Sequence, residues 1–125
     1  MKILVVDDSA IARKFLIRSL PDDIEFEIRE CVNGLECVET YPEYQPDLVF
    51  LDLTMPVMDG VEALEKLKQI DNKAIVYVLT ADIQKKTHET VMSLGAYKFL
   101  KKPPTKETIT NAVYELADFI KSKKG

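Results

Sequence analysis

Short apolar runs alternate along this chain with stretches whose apolar residues recur at helical spacing. Ile3 to Val6 is the first run and reads as a buried strand. A helix over Ser9–Leu20 follows, with Asp8 or Ser9 as its N-cap, and Pro21-Asp22-Asp23 breaks it. Phe26 to Val32 alternates polar and apolar residues, as a strand exposed on one side does. Asn33-Gly34 turns the chain into a short helix over Leu35–Tyr41, and Pro42 and Pro46 bracket a loop. Leu48 to Leu53 is the third strand. Gly60 opens a helix over Val61–Gln69 with Val61, Leu64 and Leu67 on one face. Ala74 to Leu79 is the fourth strand. A helix over Lys85–Leu94 ends at Gly95 as its C-cap. Tyr97 to Lys101 is a short fifth strand stopped by Pro103-Pro104. Thr105 caps the last helix, whose expected buried stripe is Ile109, Ala112, Val113, Leu116, Phe119 and Ile120.

Five apolar strands, each followed by a helix, predict an α/β fold with a parallel sheet and helices on both faces. Right-handed crossovers leave few topologies. In such sheets ligands gather beyond the carboxyl ends of the strands. Asp7-Asp8, Asp52, Thr80 and Lys102 all stand at or just after strand carboxyl ends. Four separate strand ends thus converge on one edge.

Composition narrows the function. At 125 residues the chain is one domain, large enough for a core. A hydrophobic fraction of 46% and a charged fraction of 30% are ordinary for a globular domain. The balance of 17 basic and 21 acidic residues, net −4, argues against nonspecific nucleic-acid binding. Lys121, Lys123 and Lys124 read as a solubilising helix end. Cys31, placed in a strand, and Cys37 fit neither a redox CxxC motif nor a zinc knuckle; free thiols suit a reducing cytoplasm. The one lysine and the apolar residues before Asp7 read as too short for a signal peptide, and no apolar run approaches a membrane span.

The acidic edge carries the chemistry. Alone, Asp7-Asp8 would be a helix cap, and Asp52 a solvated loop acid. Together, three carboxylates on one sheet edge repel each other unless a cation joins them. Hard oxygen donors select Mg²⁺ or Mn²⁺ over zinc. A carboxylate can attack phosphorus to form an acyl phosphate. The Thr80 hydroxyl and the Lys102 ammonium would then meet phosphoryl oxygens. A cis Lys102-Pro103 bond would aim the lysine at the site. His88, the only histidine, reads as a solvated helix residue. Met55 and Met58 read as loop packing, and Tyr41 and Tyr44 as structural. No glycine-rich phosphate loop occurs. Asp52-Leu53-Thr54 lacks the second aspartate of haloacid-dehalogenase-type phosphatases.

These motifs taken together resemble the stand-alone, CheY-like receiver domain of bacterial response regulators. The match rests on Asp7-Asp8, Asp52 within D-L-T-M-P-V-M-D-G, Thr80-Ala81, and Gly95-Ala96 leading to Phe99-Leu100-Lys101-Lys102-Pro103. It covers the whole chain. The resemblance implies a flavodoxin-like, doubly wound sheet in the order 2-1-3-4-5 with five helices. It implies a single receiver over residues 1–125 with no output domain. Asp52 would accept phosphate from a sensor histidine kinase. Asp7, Asp8, Asp52 and the backbone carbonyl of Thr54 would hold Mg²⁺. Thr80 would be the switch hydroxyl, Lys102 the phosphate contact, and Phe99 the aromatic switch that is often tyrosine. Thr54 and Asp82 would tune phosphate lifetime. Asp82 could orient a hydrolytic water or repel phosphate.

The output would be a protein bound through helix 4, strand 5 and helix 5, in chemotaxis or motility, by a monomer or weak dimer in the cytoplasm. No DNA target and no turnover of an external substrate are expected. A phosphorelay intermediate serving a histidine phosphotransfer protein, and a constitutive pseudo-receiver module, are the competing readings.

Overall fold

The computed structural model describes residues 1–124 apart from Pro56 and Ile83. Five strands and five helices alternate: β1 (Lys2–Val6), α1 (Ala10–Arg18), β2 (Glu27–Cys31), α2 (Gly34–Tyr44), β3 (Leu48–Asp52), α3 (Gly60–Ile70), β4 (Val76–Thr80), α4 (Lys85–Ser93), β5 (Lys98–Lys101) and α5 (Lys106–Lys124). All strand pairs are parallel and the order is β2-β1-β3-β4-β5. The expected flavodoxin-like, doubly wound sheet is therefore present.

Period-two alternation along the central strands feeds two cores. Leu4, Val6, Val49, Leu51, Val76 and Val78 pack on one face with Ala63, Leu64 and Leu67 of α3 and Val91 of α4. Ile3, Val5, Leu48, Phe50, Tyr77 and Leu79 pack on the other with Leu16 of α1 and Ile109, Val113 and Leu116 of α5. Strands buried on both faces cannot show polar alternation, which is why their sequences are continuously apolar. Each such side chain stabilises the fold by ~1.5–3 kcal/mol relative to exposure. Edge strand β2 has mostly exposed or half-buried residues, matching its polar alternation.

The local signals are realised with some shifts. Ser9 caps α1, its hydroxyl accepting from the Ala12 amide at 3.2 Å. Asn33 and Asp59 cap α2 and α3 in the same way. Gly95 has φ 102°, where a left-handed residue lets the Ala96 amide reach the Val91 carbonyl at 3.0 Å and close α4.

Two expectations are corrected. Helix α2 does not stop before Pro42 but runs to Tyr44 with the proline inside it. Pro42 lies in the final turn, where only one intrahelical bond is forfeited. Buried Tyr41 and Tyr44 hold that turn: their hydroxyls donate to Asp71 Oδ2 at 2.8 Å and to the Glu27 carbonyl at 2.9 Å. On α5 the buried stripe ends at Leu116; Phe119 is 38% exposed and Ile120 half-buried. Ile120 still packs against the core from its margin.

Candidate functional site

Strand register builds the site. Val6 pairs with Leu51, so Asp7 and Asp52, one residue on in each strand, come level at the carboxyl edge. Asp52 pairs with Leu79 and Thr80 with Lys101, which brings Thr80 and Lys102 to the same edge. Asp7 is 7% exposed, Asp52 3% and Thr80 3%, whereas Asp8 is exposed. One carboxylate oxygen from each of Asp7, Asp8 and Asp52 lies within 4.8 Å of the others. Lys102 Nζ bridges two of them, at 2.7 Å from Asp7 Oδ2 and 3.4 Å from Asp52 Oδ2. The Lys102-Pro103 bond is cis.

The loops hold these groups through backbone contacts. The Ser9 amide donates to Asp7 Oδ1 at 2.9 Å, and the Thr54 amide to Asp52 Oδ1 at 3.3 Å. Gly60 lets α3 start directly against the end of β3. A Cβ there would lie 2.3 Å from the Asp52 carbonyl oxygen and 2.5 Å from Leu53 Cα. Met55 is buried and Met58 half-buried in the adjoining core, as loop packing requires. Pro56 of the sequence motif lies outside the described residues.

The electrostatics are those of an acid excess. Burial pushes the Asp52 carboxyl above its ordinary value, and the Asp7 charge adds to this. Lys102 and the Thr54 amide pull the other way without cancelling it. Burial alone would depress the Lys102 ammonium. The bond to Asp7 and the charges of Asp52 and Asp7 outweigh that and raise it. The Lys102 shift reflects the two carboxylates at its nitrogen, while the Asp52 shift is led by burial with the Asp7 charge second.

Hard oxygen donors this close fit a small divalent cation such as Mg²⁺ or Mn²⁺. No cysteine or histidine joins the cluster, so zinc fits poorly. A family model for the response regulator receiver domain matches residues 3–114. The chain belongs to that family.

Receiver domains similar to this one include the chemotaxis protein CheY of Halobacterium salinarum, 37% identical over 92% of this chain and 95% of its own. CheY of Bacillus subtilis is 38% identical over 90% of this chain and 93% of its own. Among solved structures, CheY in the CheX-CheY-BeF₃-Mg²⁺ complex of Borrelia burgdorferi superposes with a TM-score of 0.83. It is 28% identical and covers 96% of this chain and 88% of its own. This receiver is thus CheY-like, of the two-component signalling class.

The remaining candidates lie around this receiver's centre. The Thr80 hydroxyl oxygen accepts from the Asp82 amide at 3.0 Å. Phe99 is half-buried on β5, its ring centroid 5.0 Å from that of the exposed His88 ring in an edge-on arrangement. Asp82 is exposed, and its two oxygens are engaged at the start of α4 rather than at the acidic edge.

Arg13 escaped the sequence reading. Its Nη1 donates to the Asp7 carbonyl at 2.7 Å while Nε meets Glu30 Oε1 at 2.8 Å. The clamp ties the Asp7 loop to β2. Only the pairing of β1 with β2 brings Glu30 near, so no local signal marks Arg13. Cys31 and Cys37 are buried free thiols away from this chemistry.

Proposed function

We propose that this receiver is a stand-alone response regulator that takes a phosphoryl group onto Asp52 from the phosphohistidine of a sensor histidine kinase. It would pass the signal on through altered protein binding, in chemotaxis or motility. The observation that carries the reading is the one centre that joins three carboxylates to the Lys102 ammonium, with the Thr80 hydroxyl on the neighbouring strand.

In the transfer, an Asp52 oxygen would form the new O–P bond as the P–N bond to imidazole breaks. The bonding pair leaves with the imidazole nitrogen, which takes a proton from solvent. Asp7, Asp8, Asp52 and the Thr54 carbonyl would hold Mg²⁺ or Mn²⁺, which when bound offsets charge on the transferring group. Lys102 would hold a phosphoryl oxygen as a point charge. Thr80 still has its hydroxyl proton to donate, because its oxygen is the acceptor of the Asp82 contact. Catalysis would be confined to the protein's own phosphorylation and dephosphorylation.

A phosphodonor needs access to Asp52. A cleft of about 470 Å³ opens beside Asp7 and Lys102, walled by Ile11, Phe15, Leu79 and Pro104. Ile11 is 82% exposed at its rim. An apolar wall beside a buried acid suits a docking kinase. For output, Met92 of α4, Tyr97 just before β5 and Phe119 of α5 leave aromatic and apolar surface exposed. No described helix is long and apolar enough to cross a membrane. Buried free thiols fit work in a reducing cytoplasm.

Intact-mass analysis after incubation with acetyl phosphate tests the reading. A Mg²⁺-dependent phosphate adduct on the wild type, absent from Asp52→Asn, is expected. The absence of an adduct, with beryllofluoride also failing to bind, would leave a constitutive interaction module.

A further inference from the structure

Asp7 is held at every polar atom it has. Its amide donates to the Cys31 carbonyl at 3.1 Å, and its two carboxylate oxygens accept from the Ser9 amide at 2.9 Å and from Lys102 Nζ at 2.7 Å. Its carbonyl accepts from Arg13 Nη1 at 2.7 Å. Asp52 is held too, by the Thr54 amide at 3.3 Å and by Lys102 at 3.4 Å. Asp8 differs. It is exposed, and among the described residues no hydrogen bond or ion pair fixes its carboxylate. What orients it is the Asp7–Asp8 peptide plane, and that plane carries the carbonyl that Arg13 holds.

Arg13 is well placed for this. Helical side chains lean toward the helix N-terminus, so an arginine in the first turn of α1 reaches back to the loop before the helix. Its Nε is anchored at 2.8 Å on Glu30 Oε1 of β2, and its side chain is only 14% exposed. A planar guanidinium serves both acceptors in one fixed geometry, which a lysine ammonium does not. Its charge, however, has the wrong sign for a cation site. Close to three carboxylates, a second fixed cation besides Lys102 competes with a metal ion. Geometry and charge therefore predict opposite effects of removing it.

We propose that Arg13 is a positioning residue for the metal, holding the Asp7–Asp8 peptide plane so that the Asp8 carboxylate faces Asp7 and Asp52. The inference rests on reading these three carboxylates as the Mg²⁺ site. Ordering Asp8 before the ion arrives removes that cost from binding, so affinity rises without an added ligand.

Mg²⁺ affinity of the full chain, measured by calorimetry without a phosphodonor, separates the accounts. Arg13→Gln should weaken binding about tenfold, the low end for outer partners of metal ligands. Arg13→Lys keeps the charge but loses the fork, and should fall between Arg13→Gln and wild type. Glu30→Ala frees the guanidinium from β2. It should weaken binding several-fold and add nothing on top of Arg13→Gln. Unchanged affinity in Arg13→Gln, even with a lowered denaturation midpoint, would leave a structural strap and overturn the positioning role. Tighter binding by Arg13→Gln, with Arg13→Lys at the wild-type value, would show charge alone and overturn it too.

A second arm needs no metal. Arg13→Gln frees the Asp7 carbonyl, so the Ser9 amide, bonded to Asp7 Oδ1, should exchange hydrogen several-fold faster relative to the amides of β3. An unchanged ratio would overturn the clamp. If the wild type took up no Mg²⁺, the metal reading would fall, and the exchange ratio would still decide whether Arg13 holds the plane.

Discussion

The two edges of the sheet treat their charges in opposite ways. At the amino edge the acceptors meet donors. The Tyr41 hydroxyl donates to Asp71, that of Tyr44 to the Glu27 carbonyl, the Lys2 amide to Asp47, and the Lys68 ammonium to the Ala74 carbonyl. At the carboxyl edge three carboxylates share one ammonium. The same residue type shows the contrast. Asp71 is held below its ordinary pKa, chiefly by the Lys73 amide and then by Tyr41. Asp52 is pushed above it by burial and by Asp7. Donors arranged around an acid stabilise a fold. Acids crowded in a buried corner cost stability until something positive arrives, and that deficit is what a ligand can relieve.

Breaking the carboxyl edge should have the largest effect. Asp52→Asn should abolish the phosphate adduct in intact-mass analysis, since Asp52 ends the strand beside the one that carries Thr80 and lies 3.4 Å from Lys102. An adduct of undiminished yield on the mutant would move the acceptor elsewhere. Next in size is the response to metal. Mg²⁺ at a hundredfold excess over its dissociation constant should stabilise the protein by about 2.7 kcal/mol. Denaturant melts should lose this gain in Asp8→Asn and Asp52→Asn and keep it in Tyr41→Phe. Equal gains in all variants would place the metal outside the cluster.

Without metal, the same corner should show its cost. Replacing Asp52 by asparagine should stabilise the apo protein at neutral pH, because burial and the Asp7 charge penalise the ionised carboxylate there. The sign follows from the shift. A folded-state pKa above the unfolded one means the native protein holds the proton more tightly. Stability is then lost as pH rises from the ordinary carboxylate value through the raised one. The advantage of Asp52→Asn over wild type should therefore be small in acid, grow across that window and level off above it. A gap that shrinks with rising pH would contradict the acid excess.

The carboxyl edge was far more legible in the sequence than the amino edge, for a physical reason. Apolar strands that end in Asp7, Asp52 and Thr80 announce themselves, because a parallel sheet puts all its carboxyl ends on one side. Lys102 follows from the fifth strand by the same rule. The amino edge depends on partners brought together only by the folded chain. Tyr41 lies on α2 and Asp71 caps the end of α3, and they meet once the two helices lie side by side. Pro42 hid this, since a proline reads locally as a stop while the tyrosines on either side of it carry the helix on. Arg13 was obscure for a related reason, because it needs Glu30 from a neighbouring strand.

The smallest predicted effect tests whether the amino edge is purely structural. Tyr41→Phe removes one hydroxyl from Asp71 and should cost about 1 kcal/mol, the usual net worth of a hydrogen bond. Its pH dependence is opposite in sign to that of Asp52. A depressed folded-state pKa contributes stability that is present above the unfolded carboxylate value and disappears as pH falls through the folded one. The deficit of Tyr41→Phe should thus be constant near neutrality and narrow in acid, where Asp71 becomes protonated. A deficit that persisted unchanged into strong acid would show that the hydroxyl acts by packing alone. The adduct yield with acetyl phosphate should match wild type. If it fell, the two edges would be coupled through the sheet, and the division of labour between them would have to be abandoned.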